Sequence, residues 1–270
     1  MKKLENRTLL DKPVLFKDPN YNKKVLLFDI ETAPNLSYVW GRWEQNVLSV
    51  KDHWYIICFA YKWLGEKKTY MYSLPDFKGY KKDSSNDEEL VKKLWELFDE
   101  AEIIIGQNSD AFDIKKSNAR FIKYGLPPPS FYRTIDTLKI ARQNFKFDSN
   151  KLDDLGDYLN IGRKIQTGGF NLWLGCMQGN KEAWKKMTDY CIQDVVLLEK
   201  VYYKLRGWAK TQPNMNLTLG TYTNCPVCGS EHIQRKGYRP TLTAIYQAYK
   251  CMNCGKNFQG DIEKRPKPYK

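Results

Sequence analysis

The sequence lacks any hydrophobic run long enough to cross a membrane. No stretch approaches the roughly 18 consecutive apolar residues that a transmembrane helix needs, and the charged segment MKKLENRTLLDKP contains no continuous apolar core of a secretion signal. Internal repeats and low-complexity tracts are also lacking, which excludes repeat architectures and wholesale disorder. We therefore expect a soluble, intracellular protein.

Acidic side chains are in the minority. The chain of 270 residues has 31 Asp and Glu against 44 Lys and Arg, a formal net charge of +13. This excess is larger than solubility requires and favours a polyanionic partner such as nucleic acid. A solvated basic surface is the alternative that charge alone leaves open. With 42% hydrophobic residues, the chain can bury an α/β core and still form a small second domain.

The seven cysteines fall into two groups. Three of them, Cys58, Cys176 and Cys191, are scattered among apolar or helical residues and are expected to behave as small buried hydrophobes. The other four form two knuckles, CPVCG and CMNCG, 22 residues apart. Each CxxC pair can place two thiolates on one ion, and the glycine that follows allows the tight turn. The pattern predicts one structural Zn²⁺ held by Cys225, Cys228, Cys251 and Cys254. Disulfides are the alternative, which the spacing and the lack of a secretion signal disfavour.

The knuckles also indicate a domain boundary. The segment TQPNMNLTLGTYTN before them is polar and punctuated by Pro and Gly, as is typical of a linker. The segment DIEKRPKPYK after them is basic and broken by prolines. We predict a larger domain over residues 1–210, a linker over 211–220, a zinc ribbon over 221–260 and a basic tail over 261–270.

The larger domain has the pattern of an α/β fold. KVLLFDIE, WYIICFAYKWL and KTYMYSL are predicted to be strands that pair sequentially, and EIIIGQN a short buried strand. Apolar residues at helical spacing predict helices over DEELVKKLWELFDEA, AFDIKKSNARFIKYG, IDTLKIARQNF, KLDDLGDYL and KKMTDYCIQDVVLLEKVYYKL. This order predicts a mixed sheet flanked by helices.

Four carboxylates stand at the edges of these predicted elements. Asp29 and Glu31 share one face at the carboxyl end of the first strand, because strand side chains alternate. Asp113 follows the strand EIIIGQN and opens a helix, where open α/β sheets place their ligands. Tyr190 and Asp194 are four residues apart and therefore share a helical face. We expect all four carboxylates to face one cleft.

A cluster of four carboxylates needs counter-ions. At an effective dielectric constant of about 20, each close pair costs on the order of 4 kcal/mol at 4 Å. Hard divalent cations remove that repulsion, and an all-oxygen ligand set suits Mg²⁺ or Mn²⁺ better than zinc. Two such ions can stabilise the attacking and leaving oxygens of phosphodiester hydrolysis.

Three motifs, FDIET, NSDAFD and YCIQD, resemble the exonuclease motifs of the DEDD superfamily, the DnaQ-like 3′–5′ exonucleases with a ribonuclease H-like fold. The tyrosine four residues before the last aspartate is similar to the DEDDy branch, which includes the proofreading domains of DNA polymerases. The resemblance spans about residues 23–205. TIDTLKIA and TGGFNLWLGCMQGN further resemble stand-alone, phage-type members with a carboxy-terminal ribbon. This resemblance implies a cytoplasmic protein of a bacterial or phage-infected cell.

The resemblance also implies roles for the matching residues. Asp29 would bridge two Mg²⁺ or Mn²⁺ ions, Glu31 and Asp194 would complete one metal site, and Asp113 would hold the other ion. Tyr190 would orient the attacking water, a hydrogen-bonding task for a phenol. Asn108 would contact the terminal nucleotide, although the usual His-Asn pair before the second motif is Gln-Asn here.

Further substrate contacts are predicted around the motifs. Lys116, Arg120 and Lys123 lie on one side of the helix that opens at Asp113 and could track phosphates; a solvated face is the alternative. Phe112 of the second motif is a further candidate. Aromatic residues after the first motif could stack on a frayed base, with core packing as the alternative: Tyr38, Trp40 and Trp43. The segment TGGFNLW is interpreted as a mobile loop near the cleft. Asp110 and Asp136 are interpreted as helix caps.

The sequence thus predicts a metal-dependent 3′–5′ exonuclease acting on single-stranded or frayed nucleic acid, with DNA favoured. RNA 3′-end trimming and endonuclease cleavage by the same site remain alternatives, and so does a non-catalytic adaptor that binds nucleic acid through its ribbon. The chain has no room for a polymerase domain, so a polymerase or other replication protein is an expected partner. Basic residues of the ribbon alternate with tyrosines, and together they can pair with phosphates and stack on bases. Covering the core of so small a module is the alternative role for the tyrosines.

Overall fold

The computed structural model describes residues 24–43, 46–215 and 224–264, and for 261–264 the backbone alone. Within these ranges the chain forms two compact units, residues 24–202 and the residues from 203 onward. Half of the predicted linker and most of the predicted basic tail lie outside the described residues. Among the helices that are described, none is long and apolar enough to span a bilayer.

The first unit contains a mixed sheet and most of the helices. Its strands are β1 (Val25–Thr32), β2 (Leu36–Tyr38), β3 (Ser49–Asp52), β4 (Ile56–Trp63), β5 (Tyr70–Ser73), β6 (Ile103–Gly106) and β7 (Arg133–Asp136). Its helices are α1 (Glu88–Glu100), α2 (Asp113–Lys123), α3 (Thr137–Asn144), α4 (Leu152–Tyr158), α5 (Asn171–Met177) and α6 (Lys181–Leu205, which ends in the second unit).

Five of these strands form one sheet in the order β5-β4-β1-β6-β7. The first three sequence-predicted strands pair sequentially and antiparallel, while β6 joins β1 and β7 joins β6 in parallel. The predicted mixed sheet with flanking helices is therefore confirmed. β1 lies in the middle, so that its carboxyl end is next to the carboxyl end of its parallel neighbour β6.

The first half of β1 is buried in the core, so only its carboxyl end can carry polar side chains. Residues 25–28 of β1 are buried, and Phe28 packs edge-on against Phe98 of α1 at 5.0 Å between ring centroids. The predicted apolar stripe of α1 is buried as expected. Burying each large apolar side chain contributes on the order of 2 kcal/mol, so this stretch anchors the strand and leaves its last residues at the sheet edge.

Two features of this unit differ from the sequence predictions. The segment interpreted as a mobile loop continues into the helix α5, which follows Gly168 and Gly169 with φ of 79° and 78°. The segment between β1 and β4 forms a separate hairpin of β2 and β3, which was not predicted because its strands are only three and four residues long and are mostly exposed.

The second unit contains a three-stranded antiparallel sheet in the order β10-β9-β8, formed by β8 (Ile233–Pro240), β9 (Ile245–Cys251) and β10 (Asn257–Lys264). The segment before it packs on the knuckles: Met215 N donates to Pro226 O at 2.7 Å. A Cβ at Gly207 would collide with the backbone carbonyl of Cys254, so only glycine permits this close approach. Residues 211–215 of the predicted linker are thus bonded to the first knuckle at one end.

Candidate active site

The carboxyl end of β1 places two acidic side chains beside a third from α6. One carboxylate oxygen each from Asp29, Glu31 and Asp194 lies within 4.8 Å of the others. Asp194 is completely buried. Because β1 is the central strand and α6 is the longest helix, this group depends on tertiary packing of elements that are far apart in the sequence.

Asp113 lies beside this group. It is buried at the first residue of α2, as predicted, and its Oδ1 accepts a hydrogen bond from Ile30 N at 3.4 Å. Its charge acts more strongly on Asp29 than that of any other carboxylate. The structure therefore brings all four predicted carboxylates to one place, with oxygens of three of them within 4.8 Å of one another and Asp113 hydrogen-bonded to the residue that follows Asp29.

Burial and crowding together raise the pKa values of these carboxylates. Burial, followed by the neighbouring carboxylates, raises the pKa of Asp29 well above its ordinary value. Burial also raises the pKa of Glu31 to about 7 and that of Asp113 to about 6, against the pull of Lys164 and of the Ile30 amide respectively. Four groups that resist ionisation together need cations to become fully charged at neutral pH.

Lys164 supplies one such cation, and the sequence analysis missed it. Its Nζ lies 2.6 Å from Asp194 Oδ2 and 4.9 Å from the centre of the Tyr190 ring. Burial opposes its charge, but Asp194, Asp29 and Glu31 outweigh burial and raise the pKa of Lys164. Its backbone N–H donates to Asp153 Oδ1 at 2.7 Å, which holds the loop after α4 in place. A lone lysine in an irregular loop has no spacing signal that could have revealed it.

Tyr190 lies one turn before Asp194 on α6, as expected from their spacing. Burial, followed by the charge of Asp194, raises the pKa of the phenol. Trp173 of α5 packs against Tyr190 at 6.0 Å between ring centroids and donates from Nε1 to Glu31 Oε2 at 3.2 Å. Tyr190 is thus a neutral phenol at the edge of the carboxylate group, oriented by α5.

A cavity of about 650 Å³ opens next to Glu31. Its lining comes from the segment after β1, from α2 and from the loop and helix around α5, and includes Pro34, Trp54, Phe112, Lys116, Phe170 and Trp173. Lys116 Nζ lies 3.7 Å from the centre of the Trp54 ring. Walls of aromatic rings with one ammonium group fit a nucleobase with an adjacent phosphate.

The other residues predicted to contact the substrate differ in their exposure and in their partners. Asn108 is exposed at φ 61° and its N–H donates to Asp136 Oδ1 at 2.9 Å. Trp40 is 87% exposed on the β2–β3 hairpin. Arg120 is only 4% exposed and pairs with the buried Asp87. The prediction that Arg120 tracks phosphates is therefore wrong, because its guanidinium is used to satisfy a buried carboxylate inside the unit.

Of the two aspartates predicted to cap helices, one does so and the other does not. Asp136 caps α3 as predicted, accepting from Leu138 N at 2.9 Å. Asp110 does not cap α2, whose N-cap is Phe112. It instead forms an ion pair with Lys139 at 2.6 Å, because α2 begins three residues after it, at Asp113.

The four predicted zinc ligands converge in the second unit. All four sulfurs lie within 4.8 Å of one another, with Sγ–Sγ distances of 3.6 Å for Cys225–Cys254 and for Cys228–Cys251. A tetrahedral ion with Zn–S bonds of about 2.3 Å would separate its sulfurs by about 3.8 Å. Val227 N donates to Cys225 Sγ at 3.4 Å, and a hydrogen bond with Cys254 lowers the pKa of Cys225 to about 5. The residues therefore fit a metal site with four cysteine ligands.

The comparisons with known proteins bear on the first unit. The chain is similar to the family B DNA polymerase from the hyperthermophilic archaeon Pyrobaculum calidifontis at a TM-score of 0.49 and 14% identity, over 84% of this chain and 32% of the polymerase chain. This chain thus spans about a third of that polymerase. No curated protein sequence matches it. A family model described as the RNase_H superfamily matches residues 26–206, a range that contains all four carboxylates, Tyr190 and Lys164. Since that range is about two thirds of the 270 residues, the chain belongs to the RNase_H superfamily.

Proposed function

We propose that the protein is a 3′–5′ exonuclease that hydrolyses single-stranded or frayed DNA with two divalent metal ions. Membership in the RNase_H superfamily supports a nuclease function. The observation that carries the finer proposal is the meeting of Asp29, Glu31 and Asp194 within 4.8 Å, with Asp113 adjacent. Scaffold proteins gain nothing from four clustered carboxylates that repel each other.

The donor set fits Mg²⁺ or Mn²⁺. All the ligand atoms are hard carboxylate oxygens, which these ions prefer. In the proposed assignment Asp29 would contribute to both ion sites, Glu31 and Asp194 would complete one of them, and Asp113 would hold the other ion. When bound, the ions stabilise the attacking and leaving oxygens of the scissile phosphodiester.

Tyr190 is proposed to position the attacking water. Its raised pKa keeps the phenol protonated at neutral pH, so it acts through hydrogen bonds and not as a strong base. Its packing against Trp173 restricts the ring. The hydrogen bond from Trp173 to Glu31 also joins α5 to the carboxylate group.

Lys164 is proposed to be a positioning residue. Its ion pair with Asp194 offsets one of the crowded charges and fixes the carboxylate next to Tyr190. Because Asp194 is fully buried, losing this cationic contact would leave a charged carboxylate uncompensated, which is costly.

The cavity beside Glu31 is proposed to receive the terminal nucleotide. Phe112 and Lys116 line it, in agreement with their predicted role, and Asn108 follows the adjacent strand. Trp173 lines the cavity and donates a hydrogen bond to Glu31, so the carboxylate group lies beside the cavity. A base among the aromatic walls would therefore bring its 3′-terminal phosphodiester to the metal ligands.

The second unit is proposed to be a zinc ribbon with one structural Zn²⁺, which helps hold the substrate. Its four thiolates, tight turns at Gly229 and Gly255 with φ of 71° and 76°, and N–H···S hydrogen bonds support this proposal. The sequence further supports action in the cytoplasm of a bacterial or phage-infected cell, in association with a polymerase or other replication protein.

The test is a time course on a 5′-labelled single strand with Mg²⁺ or Mn²⁺. The proposal expects a ladder that shortens from the 3′ end in the wild type, and a loss of about 10³-fold or more in Asp29→Ala and Asp194→Ala. Asp189→Asn, an exposed acid on the same helix as Asp194, is the matched control and should cleave normally. A single internal cut would indicate an endonuclease, no cut with retained binding an adaptor, and faster shortening of RNA a trimming enzyme.

A further inference from the structure

The β2–β3 hairpin exposes an unusual amount of apolar surface. Trp40 is 87% exposed and Trp43 is 76% exposed. Five further apolar side chains of the hairpin are also exposed, namely Leu36, Tyr38, Val39, Val47 and Leu48. Contiguous exposed apolar surface of this kind marks interaction sites on soluble proteins. Neither the core of the first unit nor the proposed chemistry accounts for it.

The base of the hairpin forms part of the cavity wall. The chain enters the hairpin through Pro34 and Asn35 and leaves it at Trp54, and all three residues line the cavity beside Glu31. Asn35 Oδ1 accepts a hydrogen bond from Trp54 N at 2.8 Å, which joins the two ends of the hairpin. Trp54 is fixed further by Arg120, whose Nη1 donates to Trp54 O at 3.3 Å. The hairpin therefore begins and ends at residues that line the cavity and are joined to each other by a hydrogen bond.

The chemistry of the hairpin favours nucleobases as its ligand. Aromatic side chains stack on any base without reading sequence, and the guanidinium of Arg42 lies 5.5 Å from the centre of the Trp43 ring, so a cation accompanies the exposed indole. A strand whose 3′ end occupies the cavity can leave it past the base of the hairpin, because the residues at that base line the cavity. Continuity with the cavity separates this surface from the exposed Phe131, which lines a different groove.

We infer that the β2–β3 hairpin is a second binding site for single-stranded nucleic acid, in which Trp40 stacks on bases several nucleotides upstream of the cleaved end. This inference rests on the proposed function, since it takes the cavity to hold the 3′ terminus. It adds a length requirement: short oligonucleotides engage the cavity alone, and longer ones engage the hairpin as well.

The test measures the binding of 5′-fluorescein oligothymidylates of about 2 to 10 nucleotides with Ca²⁺ in place of the catalytic ion. Trp40→Ala should weaken the binding of the longer oligonucleotides about tenfold or more, the effect of removing one stacked base, and leave the dinucleotide within about twofold of wild type. Trp40→Phe, which keeps a ring, should restore most of the affinity. Phe131→Ala, which removes an aromatic ring that is 81% exposed elsewhere, should match the wild type at every length.

Two results would overturn the inference. One is a Trp40→Ala protein that matches Phe131→Ala at every length. The other is a wild-type protein that dimerises in sedimentation, with Trp40→Ala monomeric and its oligonucleotide affinity unchanged, which would make the hairpin a contact between two copies of the chain. Failure of the proposed function is seen separately, as an absence of cleavage of any single strand by the wild type with Mn²⁺.

Discussion

The two clusters of ligand side chains in this chain are built in opposite ways. The cysteines come from two knuckles whose geometry is local, with each CxxC pair and its following glycine forming one turn. The carboxylates come from β1, from the start of α2 and from α6, and meet only because the sheet places these elements together. A local cluster can be read from spacing, whereas a distributed cluster needs the fold.

The two units also differ in what holds them together. The first unit has an extensive buried core around the five-stranded sheet. The core of the second unit consists of Cys225, Val227 and Cys251, with Ile233 and Phe258 packed against it. So small a core contributes little without a cross-link or metal. Loss of metal should therefore unfold the second unit, and should leave the first unit folded with its carboxylates repelling each other.

The largest expected effect is the loss of structure in the second unit when one zinc ligand is removed. Cys251→Ser deletes a buried thiolate, and structural zinc binding is worth about 10 to 16 kcal/mol in small domains. We expect proteolysis to trim the chain after about residue 203 while residues 24–202 resist it. Met252→Ser, an exposed neighbour in the same knuckle, is the control. Equal protease resistance of the two variants would show that the ribbon does not depend on metal.

Next in size is the effect of Tyr190→Phe on rate. The variant removes only the hydroxyl, so cleavage should fall by about 10²- to 10³-fold while Mn²⁺ still raises the melting temperature. Tyr158→Phe, on an exposed ring of α4, controls for a generic loss of a phenol. If Tyr190→Phe keeps its rate but melts earlier, the hydroxyl serves packing and not the reaction.

A smaller effect is the pH dependence of the metal-free first unit. Glu31 has a folded-state pKa of about 7 against an ordinary 4.5, so between these values the folded state binds more protons than the unfolded state. The free energy of unfolding should then fall as pH rises from about 4.5 to 7. At a pH of about 7.5, Mg²⁺ or Mn²⁺ at one hundred times its dissociation constant should restore about 2.7 kcal/mol.

The measurement is urea unfolding in EDTA across this pH range, compared with Glu31→Gln. The substitution removes the titrating group, so the variant should show a flatter profile than the wild type. Replacing Asp29 and Asp113 together by Asn should stabilise the metal-free protein and abolish the response to Mn²⁺. A wild-type profile parallel to that of Glu31→Gln would mean that the carboxylates are not crowded in solution.

The contrast between local and distributed signals also explains what the sequence revealed. The buried strands and α1 were predictable because their apolar periodicity is strong, and Asp113 at the start of α2 followed from the strand before it. Lys164 was not predictable, because its role depends on a loop held by Asp153. Arg120 was assigned wrongly because helical spacing shows which face a residue shares, and not whether a buried partner such as Asp87 lies there.

The smallest effect concerns the surface of the ribbon, where the sequence left nucleic-acid contact and core packing equally open for the tyrosines. In the structure these tyrosines differ in their environment. Tyr249 stacks on Phe258 of the core at 5.6 Å between ring centroids, whereas Tyr238 is exposed on β8. Three cations on the same strand are also exposed: Arg235, Lys236 and Arg239. This strand is at one edge of the sheet, so its side chains are accessible to a phosphate backbone.

Replacing these three cations of β8 by Gln should reduce the log–log salt slope of single-strand binding by about 2, at roughly 0.7 per phosphate contact. Turnover on saturating short substrates should not change, because every proposed metal ligand for catalysis lies in the first unit. Replacing Lys78, Lys81 and Lys82, three exposed cations of the first unit, by Gln gives an equal change in net charge as the control. Deleting the chain after Leu219 should reproduce the reduced slope. An unchanged slope in the β8 variant, together with lost binding to a protein partner, would make the ribbon a docking module.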